Sequence, residues 1–186
     1  SNNFDISVMY KFQNSKWNKF TVNTSIANPK IVKVVNNKIV LSDGGDNIEV
    51  ISDGNVKKYN LNENILNNNI KKIVINNSNE LVGLNDFSIT QFSQPKFTPL
   101  QINPNGCKSP FRFNTMVVNG QKIWLGTQGN GIVEIDANNN ATILNKNNSS
   151  ILSCNINDFF KDQTGNIWIA TDGGINKVTS SNVWSK

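Results

Sequence analysis

The sequence contains no histidine. That removes the commonest general base, the usual zinc ligand and every Ser–His or Cys–His arrangement. Arginine occurs once, as Arg112; the other basic residues are lysines, scattered apart from the pairs Lys57-Lys58 and Lys71-Lys72. The net charge of +5 therefore forms no arm or stripe. It also lacks the planar forks that grip phosphate and guanine, so a solvated basic surface is expected and nucleic acid is not. No apolar run reaches the 18 or so residues that a membrane helix needs, so direct membrane insertion is not expected. Only two cysteines are present, Cys107 and Cys154. Each precedes the first strand of one of two consecutive repeats, so a disulfide between neighbouring loops and a pair of small buried thiols both stand as readings.

Asparagine, by contrast, makes up about a fifth of the chain. Its side chain forms Asx-turns and tolerates the left-handed region, so this excess suits a chain with many tight turns. Four segments match one another: Ile39-Val-Leu-Ser-Asp-Gly-Gly, Leu81-Val-Gly-Leu-Asn-Asp, Ile123-Trp-Leu-Gly-Thr-Gln-Gly and Ile167-Trp-Ile-Ala-Thr-Asp-Gly. Their starts are 42, 42 and 44 residues apart, the period of a four-stranded propeller blade.

Each copy has the same flanks. An apolar strand precedes it, at Ile31–Val35, Ile70–Ile75, Phe113–Val118 and Ile156–Phe160. Tight turns follow at Asn36-Asn37, Asn76–Asn79, Asn119-Gly120 and Asp162–Gly165. Asn-Gly between two β-prone runs is a strong hairpin signal. Third strands are predicted at Ile48–Ile51, Phe87–Phe92, Ile132–Ile135 and Ile175–Val178, and fourth strands near Val56–Tyr59, Lys96–Ile102, Ala141–Leu144 and Asn182–Trp184. The inner strands are apolar on both faces, as strands sandwiched between sheets must be. Trp124 and Trp168 occupy equivalent places there and are expected between blades, whereas Trp17 and Trp184 fall on outer strands and are expected nearer solvent.

The predicted fold class is all-β: antiparallel four-stranded meanders of about 42 residues, arranged as propeller blades. Residues 1–20 read as an outer half-blade, followed by blades at 30–62, 69–102, 112–145 and 155–186. This tally is read as an incomplete ring, with the remaining blades or a partner protein supplying the rest; a small closed propeller with a displaced terminal strand is the alternative.

The run from Asn155 to Val178, with Asp162-Gln-Thr-Gly-Asn-Ile-Trp-Ile-Ala-Thr-Asp-Gly-Gly at its centre, resembles the two-component regulator propeller repeat. Ile123–Ile135 is similar, and the copies at Ile39 and Leu81 keep the spacing but lack the tryptophan. The resemblance implies extracytoplasmic propellers of Bacteroidetes-type bacteria, in the periplasm or at the cell surface. Among them are glycan-responsive sensors of hybrid two-component systems, and surface or type IX secretion scaffolds that dock proteins. A carbohydrate or protein ligand follows from either.

No enzyme is expected. The acids Asp43, Asp46, Asp53, Asp162 and Asp172 fall in predicted turns, where an Asx-turn accounts for them without catalysis. Asp43-Gly44-Gly45-Asp46 lacks the further oxygen ligands of a calcium site and also reads as a turn. The Asp162, Gly165, Trp168 spacing resembles the Asp-box and is read as an Asx-turn, a glycine of positive φ and a packed tryptophan. No cofactor motif is present: the glycines from Gly126 to Gly131 open a strand–turn–strand and not a helix. Propellers bind at the loops leading into the innermost strands and those joining second and third strands. By that geometry the candidate ligand residues are Lys30, Asp46, Asn69, Asp86, Arg112, Gln128, Asn155 and Asp172, with Asn28 and Lys108 nearby.

Overall fold

The computed structural model describes residues 6–26, 28–35, 38–45, 47–60, 70–76, 80–93, 96–99 and 111–186. Asp46, Asn69, Cys107, Lys108 and the turns at 36–37 and 77–79 lie outside them. The described residues form no helix, and all strand pairs are antiparallel. Two compact units result, Ser1–Asn69 and Ile70–Lys186.

In the first unit, β1 (Ile6–Gln13) and β2 (Lys16–Asn23) make a two-stranded sheet. Their loop, Asn14-Ser15, has φ of 53° and 59°. Positive φ at both positions is what a type I′ turn requires, and that turn matches the twist of the flanking strands. β2 runs past residue 20, the end expected for the half-blade, to Asn23. Next comes a meander of β3 (Ile31–Val35), β4 (Lys38–Ser42), β5 (Asn47–Ser52) and β6 (Asn55–Asn60), the last two joined by Asp53-Gly54, again both at positive φ. Val22 and Ile26 are buried with Leu41 and Ile51. Beside them the buried carboxylate of Glu49 accepts hydrogen bonds from the Thr24 hydroxyl, from Ser25 N at 2.9 Å and from Ser25 Oγ at 2.6 Å. Burial pushes the Glu49 carboxyl up, but the Ser25 and Thr24 bonds and the Lys58 charge outweigh it and hold it below the usual range.

The second unit stacks three such meanders. They are β7 (Lys72–Ile75), β8 (Leu81–Leu84), β9 (Ile89–Ser93) and β10 (Lys96–Pro99); β11 (Phe113–Asn119), β12 (Lys122–Thr127), β13 (Ile132–Ile135) and β14 (Ala141–Leu144); and β15 (Ile156–Lys161), β16 (Ile167–Thr171), β17 (Gly174–Val178) and β18 (Trp184–Ser185). Strands are sequential in every sheet, and the first strands β7, β11 and β15 lie side by side. The core is two apolar layers. Val74, Val82 and Ile89 meet Met116, Ile123 and Leu125 in one; Val117, Trp124 and Ile132 meet Phe159, Ile167, Ile169 and Val178 in the other.

Turns are closed by side chains. Asp43, Asp136 and Asp162 each sit four residues before an asparagine: Asn47, Asn140 and Asn166. In every case the carboxylate accepts the backbone N–H two residues on (2.8, 2.9 and 3.0 Å) and that of the asparagine (3.3, 2.8 and 2.9 Å). The asparagine Nδ2 donates to its other oxygen at 2.6, 2.9 and 2.9 Å. Asp43 is therefore engaged in its own turn. A second device recurs at the end of each second strand, where Asp43, Asn85, Thr127 and Thr171 cap the following turn. Thr127 Oγ1 accepts Asn130 N at 3.0 Å and donates to Gly131 O at 2.7 Å; Thr171 treats Gly173 N and Gly174 O alike.

Several expectations are corrected. The Asn85 cap takes the N–H groups of Phe87 and Ser88, so the third strand starts at Ile89 and not at Phe87. β7 starts at Lys72 and not at Ile70. Asn182, with φ of 64°, belongs to a turn, which leaves β18 only two residues. At Asn119-Gly120 the asparagine pairs within the ladder, and the two loop residues are Gly120 and Gln121. Trp184 is partly buried rather than open to solvent: it stacks on Trp124 with ring centroids 5.7 Å apart. Trp168 is not buried between blades: it is 37% exposed, with its indole N–H donated to Asp162 at 3.0 Å. Cys154 carries a free thiol.

Candidate functional site

At one end of the second unit, the loops leading into β11 and β15 meet the loops that follow β8, β12 and β16. Backbone bonds set them in order. Asp86 O accepts Phe113 N at 2.8 Å, Arg112 O accepts Gln128 N at 2.9 Å, and Gln128 forms a bridge with Asn155. Asn155 Nδ2 then donates to Asp172 Oδ2 at 2.7 Å. Asp86, Arg112, Gln128, Asn155 and Asp172, five of the eight residues proposed from sequence, thus form a continuous arc across three sheets. Lys30 belongs to the first unit. There its N–H bonds Ser42 O at 2.8 Å, and its stem packs so closely on Gly44 that a Cβ at that glycine would lie 2.8 Å from Cδ. Asp46 and Asn69 fall outside the described residues.

A second row, which the sequence reading missed, lies one step inward on the first strands. Lys72 on β7, Thr115 on β11 and Asp158 on β15 are each 43 residues apart and touch in series. Lys72 Nζ donates to Thr115 Oγ1 at 2.6 Å, Thr115 Oγ1 donates to Asp158 Oδ1 at 2.7 Å, and Lys72 also forms an ion pair with Asp158. Both β11 and β15 bulge here, between Phe113 and Thr115 and between Ile156 and Asp158. A bulge re-aims the extra side chain. Asn114 Nδ2 donates to Ile156 O at 3.0 Å, and Asn157 Nδ2 to Asp172 Oδ1 at 2.9 Å. The legible signal was positional: three unlike polar residues at one offset within three apolar strands.

The charges balance. Lys71 pairs with Asp86, Arg112 Nε lies 3.9 Å from the same carboxylate, and Lys72 pairs with Asp158. Asp172 is clamped by Asn157 and Asn155, and these bonds hold its carboxyl below the usual range. Burial pushes Asp158 up, but the Lys72 and Thr115 bonds together with the Lys72 charge overcome this and leave it lowered as well. Carboxylates held ionised accept hydrogen bonds; a general acid needs the opposite shift. The arrangement is a neutral, hydrogen-bonding surface of amides, a hydroxyl and paired ions.

A cleft of about 360 Å³ lies at the other end of the strands. Val118, Ile123, Ile135 and Ala137 line it together with Asn76, Glu80, Gln121, Lys122, Asp136 and Asn139. Of its polar residues, Lys122 is committed to Glu134 at 2.6 Å, Asp136 to its own turn and Asn76 to Glu80 at 3.0 Å.

Residues 150–173 match the family described as two component regulator propeller. No curated protein sequence matches the chain. Among solved structures it is similar to the extracellular domain of BT3049 from B. thetaiotaomicron, assigned to hybrid two component systems: TM-score 0.62, 19% identity, over 90% of this chain and 25% of that one. It is similar to virginiamycin B lyase from Staphylococcus aureus, solved with quinupristin as a catalytically inactive histidine-to-alanine variant: TM-score 0.64, 16% identity, over 96% of this chain and 61% of that one. The WD40 β-propeller domain of Doa1 matches with TM-score 0.57 and 13% identity, over 97% of this chain and 60% of that one. The chain is thus built of β-propeller blades, as the repeat resemblance implied, and it spans less than two thirds of these propellers.

Proposed function

We propose that the chain is part of a non-catalytic recognition propeller that works outside the cytoplasm and holds a neutral, polyhydroxylated ligand, an oligosaccharide, on the arc from Asp86 to Asp172. The observation that carries this reading is the charge balance of the arc. Among the described residues Lys71, Lys72 and Arg112 offset Asp86, Asp158 and Asp172 in sum, Asp172 being met by two amides, so no excess of either charge favours an anion or a cation there. Amides and carboxylates in fixed positions suit hydroxyl groups, which both donate and accept. The likeness to an extracellular domain assigned to two component systems supports the location and a sensing role. The lyase likeness does not carry its chemistry across: replacing a histidine inactivates that enzyme, and this chain has none.

The test is calorimetric titration with a panel of neutral, acidic and basic oligosaccharides, repeated on Asn155→Ala/Asp172→Ala. Binding of a neutral member, weakened tenfold or more in the double variant, is expected. Preference for a charged glycan, or affinity indifferent to these two residues, would overturn the assignment.

A further inference from the structure

The buried carboxylate of Glu49 has a counterpart near the other end of the chain. Glu49 lies opposite Leu41 in the β4–β5 ladder, and Asn176 lies opposite Ile169 in the β16–β17 ladder. Leu41 and Ile169 are the third residues of the matched segments beginning at Ile39 and Ile167. The two polar residues therefore stand at one place in two repeats, exposed by only 1% and 0%. Each grips the segment that leads into the first strand of its own sheet. Glu49 accepts from Thr24 and Ser25, and Asn176 holds Ser150 and Leu152. Within these segments Ile26 and Ile151, both 4% exposed, lie five residues before the starts of β3 and β15. The fold does not require a polar residue there: in β13 the matching position, opposite Leu125, is the buried Val133.

The two grips differ in chemistry. Asn176 is matched group for group: Oδ1 accepts Leu152 N at 2.9 Å, while Nδ2 donates to Ser150 O at 3.1 Å and Ser185 O at 3.3 Å. An amide does not titrate and keeps both roles. Glu49 accepts from three donors, the Thr24 hydroxyl and the hydroxyl and N–H of Ser25. Lys58, across the ladder on β6, adds a positive charge 3.6 Å from Oε1. Among the described residues, β4 places Leu41 opposite Glu49, and residues 24–26 bring no ionisable group. Protonation would put a further proton among these donors and remove the charge that strengthens every one of the bonds.

We propose that Glu49 is an acid-released latch: ionised, it fastens residues 24–26, and with them the β1–β2 hairpin, to the β3–β6 sheet; protonated, it lets that segment go. The Asn176 latch carries no such switch. The direction follows from linkage. Burial pushes the Glu49 carboxyl up, but Ser25, Thr24 and Lys58 outweigh it, so it sits below its ordinary value of 4.5. Its contribution is complete above that value and is lost as pH falls toward the folded one.

The test is amide hydrogen exchange at Ser25, read by NMR as a protection factor, in the full chain and in Glu49→Gln. Glutamine keeps the shape and one acceptor oxygen but does not titrate. At about pH 7 the native protein should protect Ser25 roughly tenfold better than the variant, and by about pH 3.5 the gap should close to about twofold or less. Comparing the two proteins at each pH cancels the loosening that other carboxylates cause in both. Lys58→Met, at a side chain that is 48% exposed, should fold normally and move the loss of Ser25 protection to higher pH. A gap between the native protein and Glu49→Gln that stays constant with pH would overturn the proposal. So would a Ser25 profile that Lys58→Met leaves in place.

Discussion

Trp124 and Trp168 stand at the same place in two nearly identical runs, Ile-Trp-Leu-Gly-Thr and Ile-Trp-Ile-Ala-Thr, yet their surroundings differ in kind. Trp124 is 1% exposed, lies 6.4 Å from Phe159 and 5.7 Å from Trp184 between ring centroids, and donates its indole N–H to Glu134 at 2.8 Å. Trp168 lies open, under Lys177, and its N–H goes to the turn acid Asp162. A blade sets where its tryptophan stands; the neighbouring blade sets what that tryptophan is worth.

The comparison breaks most readily at the rings themselves. Trp124→Ala should cost about 3–5 kcal/mol in urea melts, as deletion of a buried aromatic does. Trp168→Ala should cost about 1 kcal/mol or less, the scale of an exposed cation–π contact and one hydrogen bond. Equal losses would mean that both rings are core.

The next largest contrast lies two residues on. A Cβ on Gly126 would come within 2.6 Å of Ile156 Cγ2 and Thr115 Cγ2, so Gly126→Ala should cost roughly 1–3 kcal/mol through overpacking. Ala170 already holds a Cβ at the matching place, and Ala170→Gly should cost about 0.5–1 kcal/mol, the backbone entropy alone. Thr115→Val removes the hydroxyl between Lys72 and Asp158 and should cost about 1 kcal/mol, with the Lys72–Asp158 pair remaining.

Acid separates the two sheets more gently. Asp158, Asp162 and Asp172 in the last sheet are all held below the ordinary value of 3.8, Asp162 chiefly by the Trp168 indole and then by Thr164 and Asn166. The β11–β14 sheet has one such group, Asp136, lowered by Asn140. A lowered carboxyl adds stability that is complete above its unfolded value and is lost as pH falls toward the folded one. The last sheet should therefore loosen first below about pH 4, seen as earlier hydrogen exchange in β15–β17 than in β11–β13. The reverse order would show that packing, not these carboxylates, sets acid sensitivity.

What the sequence revealed, and what it hid, follows the same division. The second strands were legible because apolar residues recur at a fixed period. The capping positions Asp43, Asn85, Thr127 and Thr171 lay inside the matched segments but differ chemically, so only their hydrogen bonds reveal one role. Lys72, Thr115 and Asp158 were hidden more deeply, since a cation, a hydroxyl and an anion share nothing but an offset. Trp168 was misread because burial against a neighbour is not a property of the repeat that carries the residue. The arc was legible in five members because loop positions follow from strand order alone.

The turn built from an aspartate and an asparagine four residues on also bears on how such a chain can change. All of its bonds begin or end on those two residues or on a backbone N–H. Ala-Asn-Asn fills the middle of one such turn and Gln-Thr-Gly that of another. The two ends act as a clasp; of the residues they enclose, the one before the asparagine is held at positive φ (Asn139 at 64°, Gly165 at 84°) and is confined to asparagine or glycine, while the first, Ala137 or Gln163, is free to drift as the strands on either side keep their register.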